Sequence, residues 1–346
     1  MARVTLQTIA DQVGVSRMTV SNAFSRPDQL SSELRDQILA VADELGYVGP
    51  DPRGRALVRG TSGAVGVLLT DSLGEAFADE VATGFLGAMV DQLAPTGLAL
   101  TLLASEPQGE AVPARDVAID GAVVYSCRPR SSARGWLERR GLPLVQVDQD
   151  PAPEVPSVNV DDRGGAQAAA RHLVELGHRQ IAVVTVAPLD LDDEPAVPHP
   201  QRERLAGWTE VLDEAGAGPV PVIEAAGHND TDATRAAGRV LALDPRPTAV
   251  LCFSDLLAVA LVQAAHREGL VVPGDLSVVG FDDSPVAQRI EPALTTVHQD
   301  IASKGRLAAE LLTAAIDDRR DGRRRPPRHE QLPTRLVVRD STAPPR

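Results

Sequence analysis

The sequence predicts an α/β protein: a small all-α helix-turn-helix headpiece followed by a two-lobed body of doubly wound parallel sheets. Three observations carry this prediction. Residues 1–48 hold three short segments of helical period, each opened by a residue able to cap it. From Ala64 onward, apolar strand-like runs alternate with amphipathic helices, the pattern of repeated βα units. Those units fill residues 64–346, more than one sheet and core accommodate, so they divide into two lobes. A hydrophobic share of 43% supplies a core for each.

The headpiece is organised around TLQTIADQVGVSRMTVSNAF, Thr5 to Phe24. Thr5 caps a first helix in which Leu6, Ile9, Ala10 and Val13 recur at helical spacing. Gly14 and Val15 form the turn, because glycine reaches the left-handed backbone that ends a helix. Ser16 caps a second helix, Arg17 to Phe24, which turns Val20, Ala23 and Phe24 inward. Arg17, Met18, Thr19, Ser21 and Asn22 are left outside, a set suited to base edges in a DNA major groove. An αα-hairpin packed within its own domain fits this stretch equally well. Ser31 or Ser32 caps a third helix with the stripe Leu34, Ile38, Val41, Ala42 and Leu45, stopped by Gly46. The Pro- and Gly-rich GPDPRGRALVRGTSG then reads as a linker, in which RGRALVRG has room for one helical turn that is unstable alone.

In the body, AVGVLLT is a buried parallel strand and VATGFLGAMVDQLAPTG an amphipathic helix. LALTLLAS, AIDGAVVYS and LPLVQVDQD supply three more strands. SVNVDDRGGAQAAARHLVELGHRQIAVVT opens a second set as strand, helix and strand. RERLAGWTEVLDEAG and ATRAAGRVLAL are helices, and TAVLCFSDLLAVALVQAAHREGL is strand then helix. LSVVGFDD and LTTVHQD are strands, SKGRLAAELLTAAIDD is a helix, and LPTRLVVRDS closes the chain. The predicted divisions are a headpiece at 1–48, a hinge at 49–61 and a body at 62–346. Its first lobe is expected at about 62–156 plus 299–328, its second at about 157–298 plus 329–346. Ligands of such sheets lie at the carboxyl ends of strands.

The formal net charge is −14, yet residues 1–60 hold seven arginines and seven acids and are neutral. The body carries the whole excess and repels stray DNA, so phosphate contacts must come from individual arginines. No apolar run approaches the roughly 18 residues that span a bilayer, and MARVTLQT has no apolar signal core, so a cytoplasmic protein is expected. Cys127 and Cys252 read as free thiols, with pairing as the alternative. There is no P-loop and no metal-spaced His/Cys cluster, and no cofactor or metal is expected. The run DDRRDGRRRPPRH, Asp317 to His329, reads as a solvated loop rather than a second nucleic-acid patch. LDLDDEPAVPHP, Leu189 to Pro200, reads as an acidic, proline-broken loop near a pocket mouth. The 33 arginines against one lysine, Lys304, reflect coding bias.

Taken together, these residues resemble the LacI/GalR family of bacterial transcription regulators over almost the whole chain. VTLQTIADQVGVSRMTVSNAF is similar to the family's helix-turn-helix, and LGYVGPDPRGRAL to its third-helix exit and hinge. One residue added around Gly49–Pro50 shifts that hinge by one position. VDDRGGAQAAARHLVELGHRQIAVV, RERLAGW and SDLLAVALVQAAHREGLVVPGDLSVVGFDDSPVAQRIEPALTTVHQD resemble its ligand-domain blocks, in order. The resemblance implies a periplasmic-binding-protein-like body and a homodimer on a near-palindromic double-stranded operator. By position it implies Arg17, Met18 and Asn22 as base readers. Thr5, Ser16, Thr19, Ser21, Ser31 and Asn22 carry hydroxyls or amides suited to positioning the headpiece on phosphates, and Leu6 is counted with them among the DNA-binding residues. Leu57 is implied as the lever inserted in the minor groove, beside Arg55 and Ala56. Phe77, Asp148, Arg204, Ser254, Asp255, Phe281 and Asp282 are implied to contact a small effector, a sugar or sugar derivative. Asp255 also fits a helix cap, and Asp282 is preferred over Asp283. The expected function is a ligand-controlled repressor and not an enzyme; the alternative is a sugar receptor without a DNA role.

Overall fold

The computed structural model describes residues 4–49, 60–69, 73–104, 111–126, 131–191 and 194–346. The chain divides into two compact units, Met1–Gly63 and Ala64–Arg346. The expected hinge residues Arg55, Ala56 and Leu57, and also Cys127, lie outside the described residues.

The first unit holds helices Leu6–Val13, Arg17–Ser25 and Ser32–Glu44. Each starts where a hydroxyl replaces a missing backbone partner: Thr5 accepts from the Thr8 amide, Ser16 from Thr19 and Ser31 from Leu34. Gly14, at φ +79°, ends the first helix in the left-handed region. Ile9, Ala10, Val20, Ala23, Ile38 and Ala42 are buried together. Phe24 meets Tyr47 edge to face, with ring centres 5.7 Å apart.

The second unit contains fourteen strands among the described residues. In chain order they are β1 Ala64–Leu69, β2 Ala99–Ala104, β3 Ala122–Tyr125, β4 Leu144–Val147 and β5 Ser157–Val160. Next come β6 Ile181–Val186, β7 Leu189–Leu191, β8 Glu194–Ala196, β9 Val222–Ala225 and β10 Ala249–Cys252. The last are β11 Ser277–Asp282, β12 Thr295–Gln299, β13 His329–Leu332 and β14 Thr334–Val337. One six-stranded sheet has the order β13-β5-β4-β3-β1-β2, and the other β14-β12-β11-β10-β6-β9. Both are parallel except for β14, which runs antiparallel to β12. Apolar residues are buried on both faces of each sheet. On β1, Val65, Val67 and Leu69 join one cluster and Leu68 the other; on β10, Val250 and Cys252 oppose Ala249 and Leu251. That two-sided burial is why the strands read as continuous apolar runs.

Two lobe boundaries differ from the expected ones. Ser157–Val160 pairs with β4, and His329–Leu332 pairs with β5, so both strands belong to the first lobe. The chain crosses between lobes after β5, after β12 and between β13 and β14. The acidic loop is also corrected: Leu189–Leu191 and Glu194–Ala196 pair as a short antiparallel ribbon, and a helix, His199–Glu214, follows. Strand β9 and the short helices Leu73–Ala78, Pro113–Asp116, Ser132–Arg139 and Pro285–Arg289 were not predicted. The first-lobe helices Glu80–Leu93 and Ile301–Arg320 press together at Gly305, where a Cβ would lie 2.6 Å from the Phe85 carbonyl oxygen.

Candidate functional site

On the first unit, Ser16 holds the start of the second helix, its hydroxyl 2.8 Å from that of Thr19. With Val20 and Ala23 turned into the core, Arg17 and Met18 stand exposed, Met18 at 69%. Thr19, Ser21 and Asn22 are half-buried beside them. The Asn22 amide donates to Gln29 Oε1 at 3.2 Å, which fixes its orientation; Gln29 was not predicted. Thr5, Ser16 and Ser31 serve the backbone as helix caps, and Leu6 packs on the headpiece core.

In the second unit, a cleft of about 350 Å³ opens at the carboxyl ends of strands from both lobes. Asp148, Ser254 and Asp282 line it from strand ends, and Arg204 lines it from the helix His199–Glu214. Ser126 at φ +47°, Asp148 at +54° and Asp282 at +113° adopt backbone conformations that side chains other than glycine rarely take. Such strain persists where surrounding structure holds it and gathers at binding sites.

Arg204 anchors the floor. Its Nε donates to Asp162 Oδ1 at 2.7 Å, and Nη1 donates to the Phe253 carbonyl at 2.5 Å and approaches Asp282 Oδ1 at 3.4 Å. Phe281 lies under the guanidinium at 3.5 Å and Phe253 at 4.6 Å. Burial pushes the carboxyls of Asp282 and Asp162 upward, against the pull of Arg204. Asp282 also accepts from Gln299 Nε2 at 2.7 Å, and Asp148 from Lys304 Nζ at 2.8 and 3.0 Å. Ser254 caps the helix Asp255–Arg267 and lies 2.8 Å from His228 Nε2. The floor thus offers donors and acceptors side by side, the pattern that vicinal hydroxyls require.

Three expected contacts are corrected. Phe77 is 61% exposed and does not line the cleft; its neighbours Ala76 and Asp79 do. Asp255 is buried, accepting from Thr296 Oγ1 at 2.5 Å and the Ser284 amide at 2.7 Å, so it ties β12 to the start of the helix Pro285–Arg289 behind the floor. Phe281 is fully buried and supports Arg204 without reaching the cleft. Sequence reasoning missed the liners Asp79, Tyr125, Gln201, His228, Phe253 and Gln299. It also missed Asp162 and Lys304 behind them. The arginine-rich run after Asp317 forms ion pairs with its own acids, Arg320 with Asp317 and Arg323 with Asp318 and Asp321. Among the described residues, no cluster of His, Cys, Asp and Glu is placed to hold a metal. Within those same residues no helix is long and apolar enough to cross a membrane.

The family model described as "Bacterial regulatory proteins, lacI family" matches residues 5–49, and "Periplasmic binding protein-like domain" matches residues 170–342. The HTH-type transcriptional regulator IpsA of Corynebacterium glutamicum is 37% identical over 330 residues, covering 90% of this chain and 91% of that protein. The chain belongs to the LacI family. Like other LacI-family transcriptional regulators, it joins a helix-turn-helix headpiece to a two-lobed α/β body. A solved lac repressor dimer, bound to operator and the anti-inducer ONPF, shares the fold at a TM-score of 0.80 and 25% identity, covering 99% of this chain and 100% of that one. A complex of the transcriptional regulator CelR with cellobiose gives 0.69 and 29%, with 98% and 100% covered.

Proposed function

We propose that this LacI-family member is a repressor that binds a near-palindromic operator as a homodimer and is controlled by a small ligand, a sugar or sugar derivative. Arg17, Met18 and Asn22 read bases in the major groove, while Thr5, Ser16, Thr19, Ser21, Ser31 and Asn22 hold phosphates, with Leu6 at the same surface. Arg55, Ala56 and Leu57 act at the minor groove. The observation that carries this reading is the cleft floor, which Asp148 from one lobe lines together with Asp282 and Arg204 from the other. A ligand spanning them binds the closed arrangement better than the open one, and that difference is what biases the operator-binding state. Anisotropy titrations on duplex DNA from upstream of its own gene, with and without a panel of sugars, test the proposal. Specific binding that one sugar shifts is expected. A chain that prefers no duplex under any ligand condition is not such a regulator.

A further inference from the structure

We propose that Lys304 determines the ligand selectivity of the cleft: it is a built-in counter-ion that neutralises Asp148 from behind, so the cleft takes an uncharged polyol and turns away an amino sugar. This rests on the reading of the cleft as a ligand site and names the class of ligand it admits.

Lys304 is the only lysine in the sequence and lies on the helix Ile301–Arg320 with 1% exposure. Its three ammonium hydrogens meet three acceptors: Asp148 Oδ1 at 3.0 Å, Asp148 Oδ2 at 2.8 Å and Gln299 Oε1 at 2.7 Å. A compact ammonium has three donors, one for each of these acceptors. Desolvating an ammonium is expensive, and an apolar residue of similar volume serves packing as well or better, so packing alone does not account for a charge here.

The pairing changes what the cleft presents. Asp79, Asp148 and Asp282 all line it, and Arg204 is already committed to Asp162, the Phe253 carbonyl and Asp282. Without Lys304, Asp148 faces the cleft beside two other acids with no cation of its own, and such a field draws an ammonium group. With Lys304 in place, Gln299 has its carbonyl oxygen occupied and its Nε2 directed to Asp282, which links the first lobe's floor to the second's. What remains at the floor is Asp148 with its charge met by Lys304 and the second Nε2 hydrogen of Gln299, while Asp282 is met by Arg204 and Asp79 accepts from the Val81 amide as a helix cap, a set matched to hydroxyls more than to an amine. Selectivity here works by denying the wrong ligand a counter-charge.

Full-length wild type, Lys304→Met and Lys304→Ala test this. Affinities for D-glucose and D-glucosamine are compared by calorimetry. The glucosamine-to-glucose affinity ratio is expected to be at least about tenfold higher in Lys304→Met than in wild type. In Lys304→Ala, n-propylammonium chloride is expected to raise the melting temperature above that in equal sodium chloride, with n-propanol giving no such rise. Packing loss alone produces neither the ammonium-specific rescue nor the changed ratio. An unchanged ratio, including no response of Lys304→Met to glucosamine, overturns the assignment. Equal melting of Lys304→Ala in propylammonium and sodium chloride also overturns it. Failure of the regulator reading is seen separately, as a wild-type chain that shows no duplex preference.

Discussion

Arg204 shows how one side chain organises a site. It is buried, stacked on Phe281 and shared between Asp162 and Asp282, so its loss strands two desolvated acids. Asp162 Oδ2 already lacks a hydrogen-bond partner, which leaves that acid little in reserve. Arg204→Met is therefore expected to lower unfolding stability by roughly 3–5 kcal/mol in urea titrations at neutral pH. Asp255 gives a pH-dependent counterpart. Burial pushes its carboxyl up to about 7, above its value in the unfolded chain, so the folded state holds that proton more tightly. Its contribution is full at low pH and is lost as pH rises through about 7; Asp255→Asn is expected to flatten the stability slope between roughly pH 4 and 7. At the other unit, Arg17→Ala is expected to cost about 1–3 kcal/mol of operator affinity and to relax base preference at one position. A loss uniform across all sequences, with a shallower salt dependence, places Arg17 on phosphate instead. The sequence exposed Asp148, Ser254 and Asp282 because strand ends can be located from apolar runs. It did not expose which neighbour turns inward, so Phe77, Asp255 and Phe281 were misjudged. Lys304 and Gln299 stayed hidden because folding brings them to Asp148 from far along the chain.

Elements were most legible where burial is two-sided. AVGVLLT, TAVLCF and LSVVGFDD announce β1, β10 and β11 because both faces of each strand are covered. Strand β9 follows two prolines and alternates buried with exposed residues, a weaker signal at the sheet edge. The lobe membership of β5 and β13 was not legible, because their hydrogen-bond partners are decided by the crossovers and not by local pattern. Helix contact was legible only in outline: the sequence shows an amphipathic Ile301–Arg320 but not how closely it approaches Glu80–Leu93. Gly305→Ala probes that approach, since the new methyl meets backbone and not a movable side chain. It is expected to destabilise the body by about 1–3 kcal/mol, read as a lower urea midpoint with unchanged slope.

For the whole molecule, the two units differ in how much each buries. The headpiece core consists of six fully buried apolar residues, three of them alanines, whereas the body buries four separate clusters around its two sheets. A unit of about 60 residues removes a smaller share of its surface from water than a large one does, so it opens at lower cost. Hydrogen exchange is expected to show this directly, with amides of the three headpiece helices exchanging orders of magnitude faster than those of β1, β3, β10 and β11. Operator DNA grips only the folded headpiece, so binding adds to its stability by mass action, about 2.7 kcal/mol at a hundredfold excess over Kd. Headpiece amides should then slow by roughly a hundredfold while the central strands stay as they were. Headpiece amides as slow as β10 in the absence of DNA would mean that the two units open together, and that the headpiece's own core is not the whole of its support.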